Sequence, residues 1–291
     1  MVTGPGGTVG EELATNRDIK AVSFTGSTAI GTSLYAKAAQ SLKKVTCEMG
    51  GKNALIVLED GDLELAAEAI VQGAFGSTGQ RCTATSRVLA AKPIHDKLVE
   101  MIVERAKKIV VGNGLKDGIG MGPAVDKNQY ETDLKYIDIA KQDGAKLILG
   151  GRALKDGDLA RGYFVEPTVF TGVTPSMRIF KEEVFGPVLA VSAVDSFREA
   201  MEAANAVEFG LTSSIYTRDA NTIMRYIDGI DVGMVHINSP TIGGEAQVPF
   251  GGIKATGVGE KEMAEEGLNF FTYQKTVFYD YTGSKRDTNI Y

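Results

Sequence analysis

The chain has 291 residues and 43% hydrophobic composition, enough for a sizeable core in one large domain or two. A formal charge of −6, with 31 basic residues and no basic cluster, argues against nucleic acid as a partner. The two cysteines, Cys47 and Cys82, cannot build a disulfide framework, which fits a reducing cytoplasm. No apolar run reaches the length of a membrane span, and the first residues have neither the basic nor the apolar region of a signal peptide.

Residues 2 to 10 are glycine-rich and lead into a short helical signal at Glu11-Glu12-Leu13-Ala14. Lys20 to Phe24 reads as a buried strand, followed by the turn Thr25-Gly26-Ser27-Thr28 and a helix to about Leu42. Strand, glycine turn and helix present backbone amides to a phosphate. Gly26 and Gly31 have the spacing of a P-loop, but Thr32 stands where its lysine belongs, so an NTPase is disfavoured. A pyrophosphate site and an ordinary turn both stay open here.

Lys44 to Cys47 is expected as a strand ending at Glu48-Met49-Gly50-Gly51-Lys52-Asn53, and Ala54 to Leu58 as a strand covered on both faces. Asp62 is placed to cap a helix whose apolar face carries Leu63, Ala66, Ala67, Ile70, Val71 and Ala74. That helix delivers the chain to Gly79-Gln80-Arg81-Cys82. Glycines permit close approach there, and Arg81 with polar neighbours is suited to hold a thiolate. A buried structural cysteine is the equal alternative on this stretch alone.

Onward the alternation is regular. Strands are expected at Ser86–Ala91, Lys146–Leu149, Phe164–Val169, Val188–Val194, Ser213–Thr217 and Gly233–Asn238. Helices are expected at Asp96–Val111 with Gly112 as its stop, and at Asn128–Asp143, Ser196–Val207, Asp219–Asp228 and Glu260–Leu268. This is an α/β protein with a mainly parallel sheet. Thr272 to Tyr281 has the composition of an exposed strand, which needs an edge to pair with, such as that of another subunit.

Phe24-Thr25-Gly26-Ser27-Thr28, Glu48-Met49-Gly50-Gly51-Lys52-Asn53, Gly79-Gln80-Arg81-Cys82, Glu182-Glu183-Val184-Phe185-Gly186-Pro187 and Pro249-Phe250-Gly251-Gly252-Ile253-Lys254 occur in that order. Together they resemble the NAD(P)-dependent aldehyde dehydrogenase superfamily, across essentially the whole chain. The resemblance implies an aldehyde dehydrogenase-like catalytic domain with the remnant of a Rossmann-like dinucleotide-binding domain. In that division, residues 1–47 are the remnant, 48–240 the catalytic domain, 241–268 a glycine-rich loop and helix returning toward the cofactor domain, and 269–291 an oligomerisation strand and tail. Family members are longer, so the chain is expected to lack the early strands of the cofactor sheet.

The resemblance also implies roles. The Cys82 thiolate attacks an aldehyde carbonyl, giving a thiohemiacetal and then, after hydride transfer to NAD or NADP, a thioester. Glu48 activates the hydrolytic water, against the alternative of a solvated charge at a strand end. Glu183 is expected on the nicotinamide ribose, Phe185 beside the same ring, and Gly26 and Ser27 under the pyrophosphate. Lys52, Asn53 and Cys47 are expected to be structural. A homo-oligomer, dimer or tetramer, in the cytoplasm is implied, with a small aldehyde as substrate. Thr256 replaces a usual serine and His236 a common tryptophan. The rival enzyme, a Cys–His hydrolase, has only His95 and His236 to draw on, and neither lies in a glycine-rich loop. No cysteine or histidine pair has zinc-site spacing. A non-catalytic fragment that oligomerises without holding cofactor, with at most thiol-esterase activity, is the rival of a different class.

Overall fold

A computed structural model describes residues 1–281 and 283. The glycine-rich start winds into one wide turn, Gly6–Gly10, and helix α1 (Glu11–Thr15). Then come β1 (Ala21–Thr25), α2 (Thr28–Ala39), β2 (Lys44–Glu48), β3 (Asn53–Val57), α3 (Leu63–Phe75) and β4 (Thr85–Ala91). Next follow α4 (Lys92–Ala106), α5 (Lys127–Gln142), β5 (Lys146–Leu149), β6 (Thr168–Thr171), α6 (Arg178–Lys181) and β7 (Val188–Val194). The remainder is α7 (Phe197–Asn205), β8 (Phe209–Gly210), β9 (Thr212–Tyr216), α8 (Ala220–Gly229), β10 (Met234–Ile237), β11 (Ile253–Lys254), β12 (Gly257–Val258) and α9 (Ala264–Phe270).

A seven-stranded sheet runs in the order β10-β9-β3-β4-β7-β6-β5 and is parallel except for β5, which lies antiparallel to β6 at the edge. Its central strands are covered on both faces, as their continuous apolar runs require. Alternate side chains of β3 go to opposite cores: Leu55 and Val57 join α3 and α4, while Ala54 and Ile56 join α5, α7 and α8. Leu55, Ile56 and Val57 are fully buried, each worth roughly 1.5–3 kcal/mol against exposure.

A second sheet, β1-β2-β12, has β1 and β2 parallel, with Thr25 opposite Glu48. Strand β12 lies antiparallel on the other edge of β2, placing Gly257 opposite Glu48. Its small core holds Ala38, Val45, Cys47 and Met49 against Phe24 and Leu34, so Cys47 is a packed hydrophobe. Strands β8 and β11 form an antiparallel pair. The β11–β12 turn thus ties residues beside β9 to the sheet that carries Glu48.

The Asp62 cap is formed, its carboxylate accepting from the Glu64 and Leu65 amides. Four elements differ from expectation. Helix α4 starts at Lys92, with Pro93 in its first turn, and stops at Ala106; Gly112 lies in a later turn, its amide bonded to the Met121 carbonyl. The strand expected from Phe164 begins only at Thr168, because Pro167 has no amide to donate. Residues 164–166 instead bond back to the 152–154 loop. Helix α9 begins at Ala264, after Met263 takes a φ of 66° that interrupts the expected helix. The strand expected at Thr272–Tyr281 is absent: the segment runs irregularly with Tyr273, Val277, Phe278, Tyr279 and Tyr281 exposed. Strand geometry needs a partner edge, and none of the described strands pairs with this segment. Residues 282 and 284–291 of the expected oligomerisation tail lie outside the described residues. No described helix is long and apolar enough to cross a membrane.

Candidate active site

A cleft of about 680 Å³ opens where the β1–α2 turn, the end of β2, the loop before β4, the first turns of α5 and the loop before β7 converge. Gly26, Ser27, Glu48, Cys82, Glu183 and Phe185 all line it. A groove of equal volume on the outer side of α3 and α4 is lined by Glu64, Glu68, Glu104, Arg105 and Lys108 and holds no nucleophile.

Cys82 is set by an unusual turn. After α3 the backbone takes three left-handed residues in succession, Ser77, Thr78 and Gly79, with φ of 54°, 60° and 66°. A Cβ on Gly79 would run into the Gly186 carbonyl, so only glycine fits there. Asn53 then fastens the loop, its Nδ2 donating to the Cys82 carbonyl at 2.7 Å and the Ala84 carbonyl at 2.8 Å. The Asn53 Oδ1 accepts from the Thr212 amide at 3.3 Å.

The Cys82 thiol is half-buried, and burial pushes it up from its ordinary value. Hydrogen bonds from the Thr83 and Cys82 amides pull it down, and the Glu48 and Glu183 carboxyls push it up. Arg81 was expected to hold the thiolate, but its exposed guanidinium donates instead from Nε to Ser77 Oγ at 2.9 Å. Backbone amides, not the arginine, favour the thiolate, because Arg81 turns to Ser77.

Glu48, at the end of β2, is only 5% exposed. Its carboxyl is pushed up to about 8, by burial first and by Glu262 second, against the Gly252 amide and Lys261. Its Oε2 has no hydrogen-bond partner among the described residues. A Cβ on Gly251 would come within 2.6 Å of Glu48 Oε1, which explains a glycine in that loop. Behind it, Thr256 Oγ1 donates to the Gly50 carbonyl at 2.8 Å and accepts from the Gly210 amide at 3.0 Å.

Glu183 Oε1 accepts from the Gly51 amide at 2.8 Å, and a Cβ on Gly50 would collide with its carboxylate. Burial pushes Glu183 up, while Gly51 and Lys52 pull it down. Lys52 is itself buried and pushed down to about 7, by burial and then by Arg87. Phe185 faces the cleft in a left-handed conformation, φ 60°.

Sequence reasoning missed the supports of this loop. Gln129 Nε2 donates to both the Val184 carbonyl (2.9 Å) and Asp133 Oδ1 (2.8 Å). Asp133 is fully buried against Gly186 and pushed up to about 7 by burial. An acidic residue on the apolar face of a predicted helix was the available signal. Glu262 and Lys261 were missed because only the fold brings them to Glu48.

The residues around the β1–α2 turn suit a phosphate. The first-turn amides of α2 have no intrahelical acceptor, and Ser27 does not cap them with its side chain. A Cβ on Gly26 would meet the Phe24 ring at 2.5 Å, so the turn keeps its backbone open to the cleft.

This arrangement of thiol, buried carboxyl and phosphate-ready turn sits in a chain that belongs to the aldehyde dehydrogenase family, whose model matches residues 1–277. It is 46% identical over 278 residues to the alpha-ketoglutaric semialdehyde dehydrogenase of Bacillus subtilis (strain 168), covering 96% of this chain and 57% of that protein. It is 44% identical over 281 residues to the 2,5-dioxopentanoate dehydrogenase of Saccharolobus solfataricus, covering 96% and 58%. A betaine aldehyde dehydrogenase from Staphylococcus aureus, solved in complex with NAD+, superposes with a TM-score of 0.89 at 36% identity, covering 92% of this chain and 52% of that one. The chain thus spans somewhat over half the length of these relatives.

Proposed function

We propose that this chain carries the catalytic centre of an NAD(P)-dependent aldehyde dehydrogenase that releases a free carboxylic acid. The observation that carries this reading is that Cys82, Glu48, Glu183 and the Gly26–Ser27 turn share one cleft. Cys82 loses its proton and bonds to the aldehyde carbon, with the oxygen of the resulting thiohemiacetal taking a hydrogen bond from the Cys82 amide. A bound nicotinamide would supply the hydride acceptor, and loss of hydride from the thiohemiacetal carbon would leave Cys82 as a thioester. Glu183 and Phe185 would hold the ribose and ring, and the α2 amides with Gly26 and Ser27 would hold the pyrophosphate. Glu48 in its charged form takes a proton from water, whose oxygen attacks the thioester and frees the acid and the Cys82 thiol.

Within the proposal, residues 1–47 belong with the cofactor, 48–240 with the chemistry, 241–268 bridge the two, and the tail serves a cytoplasmic homo-oligomer. The substrate class is a short oxo-acid semialdehyde, supported by the names of the relatives from Bacillus subtilis and Saccharolobus solfataricus. Calorimetric titration with NAD and NADP, followed by NADH absorbance with 2,5-dioxopentanoate, tests it. Saturable binding with turnover that Cys82→Ala abolishes is the expected result.

One observation favours a second reading, a chain that binds cofactor only with a partner. Strand β1 is the edge of a sheet of three strands, where a doubly wound cofactor sheet is wider. Absence of NAD and NADP binding, with Cys82 still reactive, selects that reading.

A further inference from the structure

Fifteen residues line the cleft, and Arg81 is the one lysine, arginine or histidine among them. It makes no ion pair among the described residues; its contact is Nε to Ser77 Oγ at 2.9 Å. That contact depends on backbone strain. Ser77 and Thr78 both hold left-handed conformations that side chains disfavour, and Thr78 Oγ1 secures the turn on the Gly122 carbonyl at 3.2 Å. An exposed arginine tethered through Nε keeps both terminal nitrogens of its fork for a ligand. Such placement is wasted on the thiol, which the Thr83 and Cys82 amides serve.

We infer that Arg81 is the specificity-determining residue that reads a carboxylate carried a few carbons from the aldehyde. The inference rests on the proposed dehydrogenase reading and adds the group that selects its substrate. A planar carboxylate matches the guanidinium fork with two charge-assisted hydrogen bonds. In a five-carbon semialdehyde acid the two ends lie about 5 Å apart at single-bond lengths near those of the backbone. Arg81 adjoins Cys82 in the chain, with α-carbons about 3.8 Å apart, so a side chain of arginine's length covers that span. Two carboxyls share the lining: Glu48 is pushed up to about 8, and Glu183 is turned to the Gly51 amide, which its Oε1 accepts at 2.8 Å. The same positive charge disfavours a cationic aldehyde, separating this chain from relatives named for betaine aldehyde.

The test needs neither cofactor nor turnover, so it stands apart from the success of the dehydrogenase reading. Alkylation of Cys82 by iodoacetamide is followed with 2-oxopentanoate or its uncharged amide as protecting ligand, in the 291-residue chain and in Arg81→Gln and Arg81→Lys. Arg81 is exposed, so both variants are expected to fold. Protection by 2-oxopentanoate should weaken about tenfold in Arg81→Gln and recover in part in Arg81→Lys, while the amide protects weakly and equally in all three. Equal protection by 2-oxopentanoate in the parent chain and Arg81→Gln overturns the inference. So does an equal weakening of protection by 2-oxopentanoate and by the uncharged amide in Arg81→Gln, which would show that Arg81 does not read the carboxylate.

Discussion

Asn53 Nδ2 donates to the Cys82 carbonyl at 2.7 Å, so the first residue of β3 fixes the backbone that carries the cleft's thiol. The same amide group reaches the Ala84 carbonyl, and its oxygen takes the Thr212 amide from β9. Asn53→Ala strands these buried backbone groups, at a cost of about 2–4 kcal/mol in urea unfolding. Cys82 alkylation should change rate in the same variant. An unchanged urea midpoint together with an unchanged rate would refute the role.

Thr256 makes a parallel case for Glu48. Its hydroxyl bridges the Gly50 carbonyl and the Gly210 amide in a fully buried position. Thr256→Val should cost about 1–3 kcal/mol, and Thr256→Ser, which keeps the hydroxyl, about 1 kcal/mol or less. Thermal melts of the two variants separate the hydroxyl from the methyl.

Much of this fold was legible because its pattern is periodic. The continuous apolar run of β3, the Asp62 cap and the helical stripe of α3 each follow from local chemistry. The tail, Tyr273–Tyr279, has strand composition yet runs irregularly in the single chain, since composition says nothing of whether an edge is present. Pro167 shows the converse, a single missing donor moving a strand boundary. At the site, the residues in glycine-rich motifs were readable. Gln129, Asp133 and Glu262 were not, since their meaning comes from contacts across long stretches of chain.

Asp133 has a stability consequence with a definite sign. Burial raises its folded-state value to about 7, above the unfolded carboxyl, so the folded chain holds a proton that the unfolded chain releases. Its contribution is intact at acid pH and stability is lost as pH rises between the unfolded carboxylate value and about 7. Asp133→Asn keeps a hydrogen-bond acceptor for Gln129 and removes the titration. It should stabilise the protein on the order of 2 kcal/mol at pH 8 and little at pH 4. Denaturant titrations at the two pH values check this, and a gain equal at both would count against it.

Glu48 titrates in the opposite functional sense. In the proposed reaction the base is the charged form, and its carboxyl is pushed up to about 8, so thioester hydrolysis should quicken as pH rises through about 8. Pre-steady-state hydrolysis of an acylated Cys82, followed from pH 6 to 10, reads the profile. Glu48→Gln should flatten it and slow hydrolysis by roughly 10²–10⁴-fold.

In the proposed reaction Cys82 carries the acyl group and Glu48 removes it. Mass spectrometry of Glu48→Gln after mixing with NAD+ and 2,5-dioxopentanoate tests it most directly. An acyl adduct on the Cys82 peptide, accumulating in Glu48→Gln and transient in the parent chain, is the predicted result. Acylation at another residue, no adduct in either protein, or turnover that survives Cys82→Ala would contradict the account.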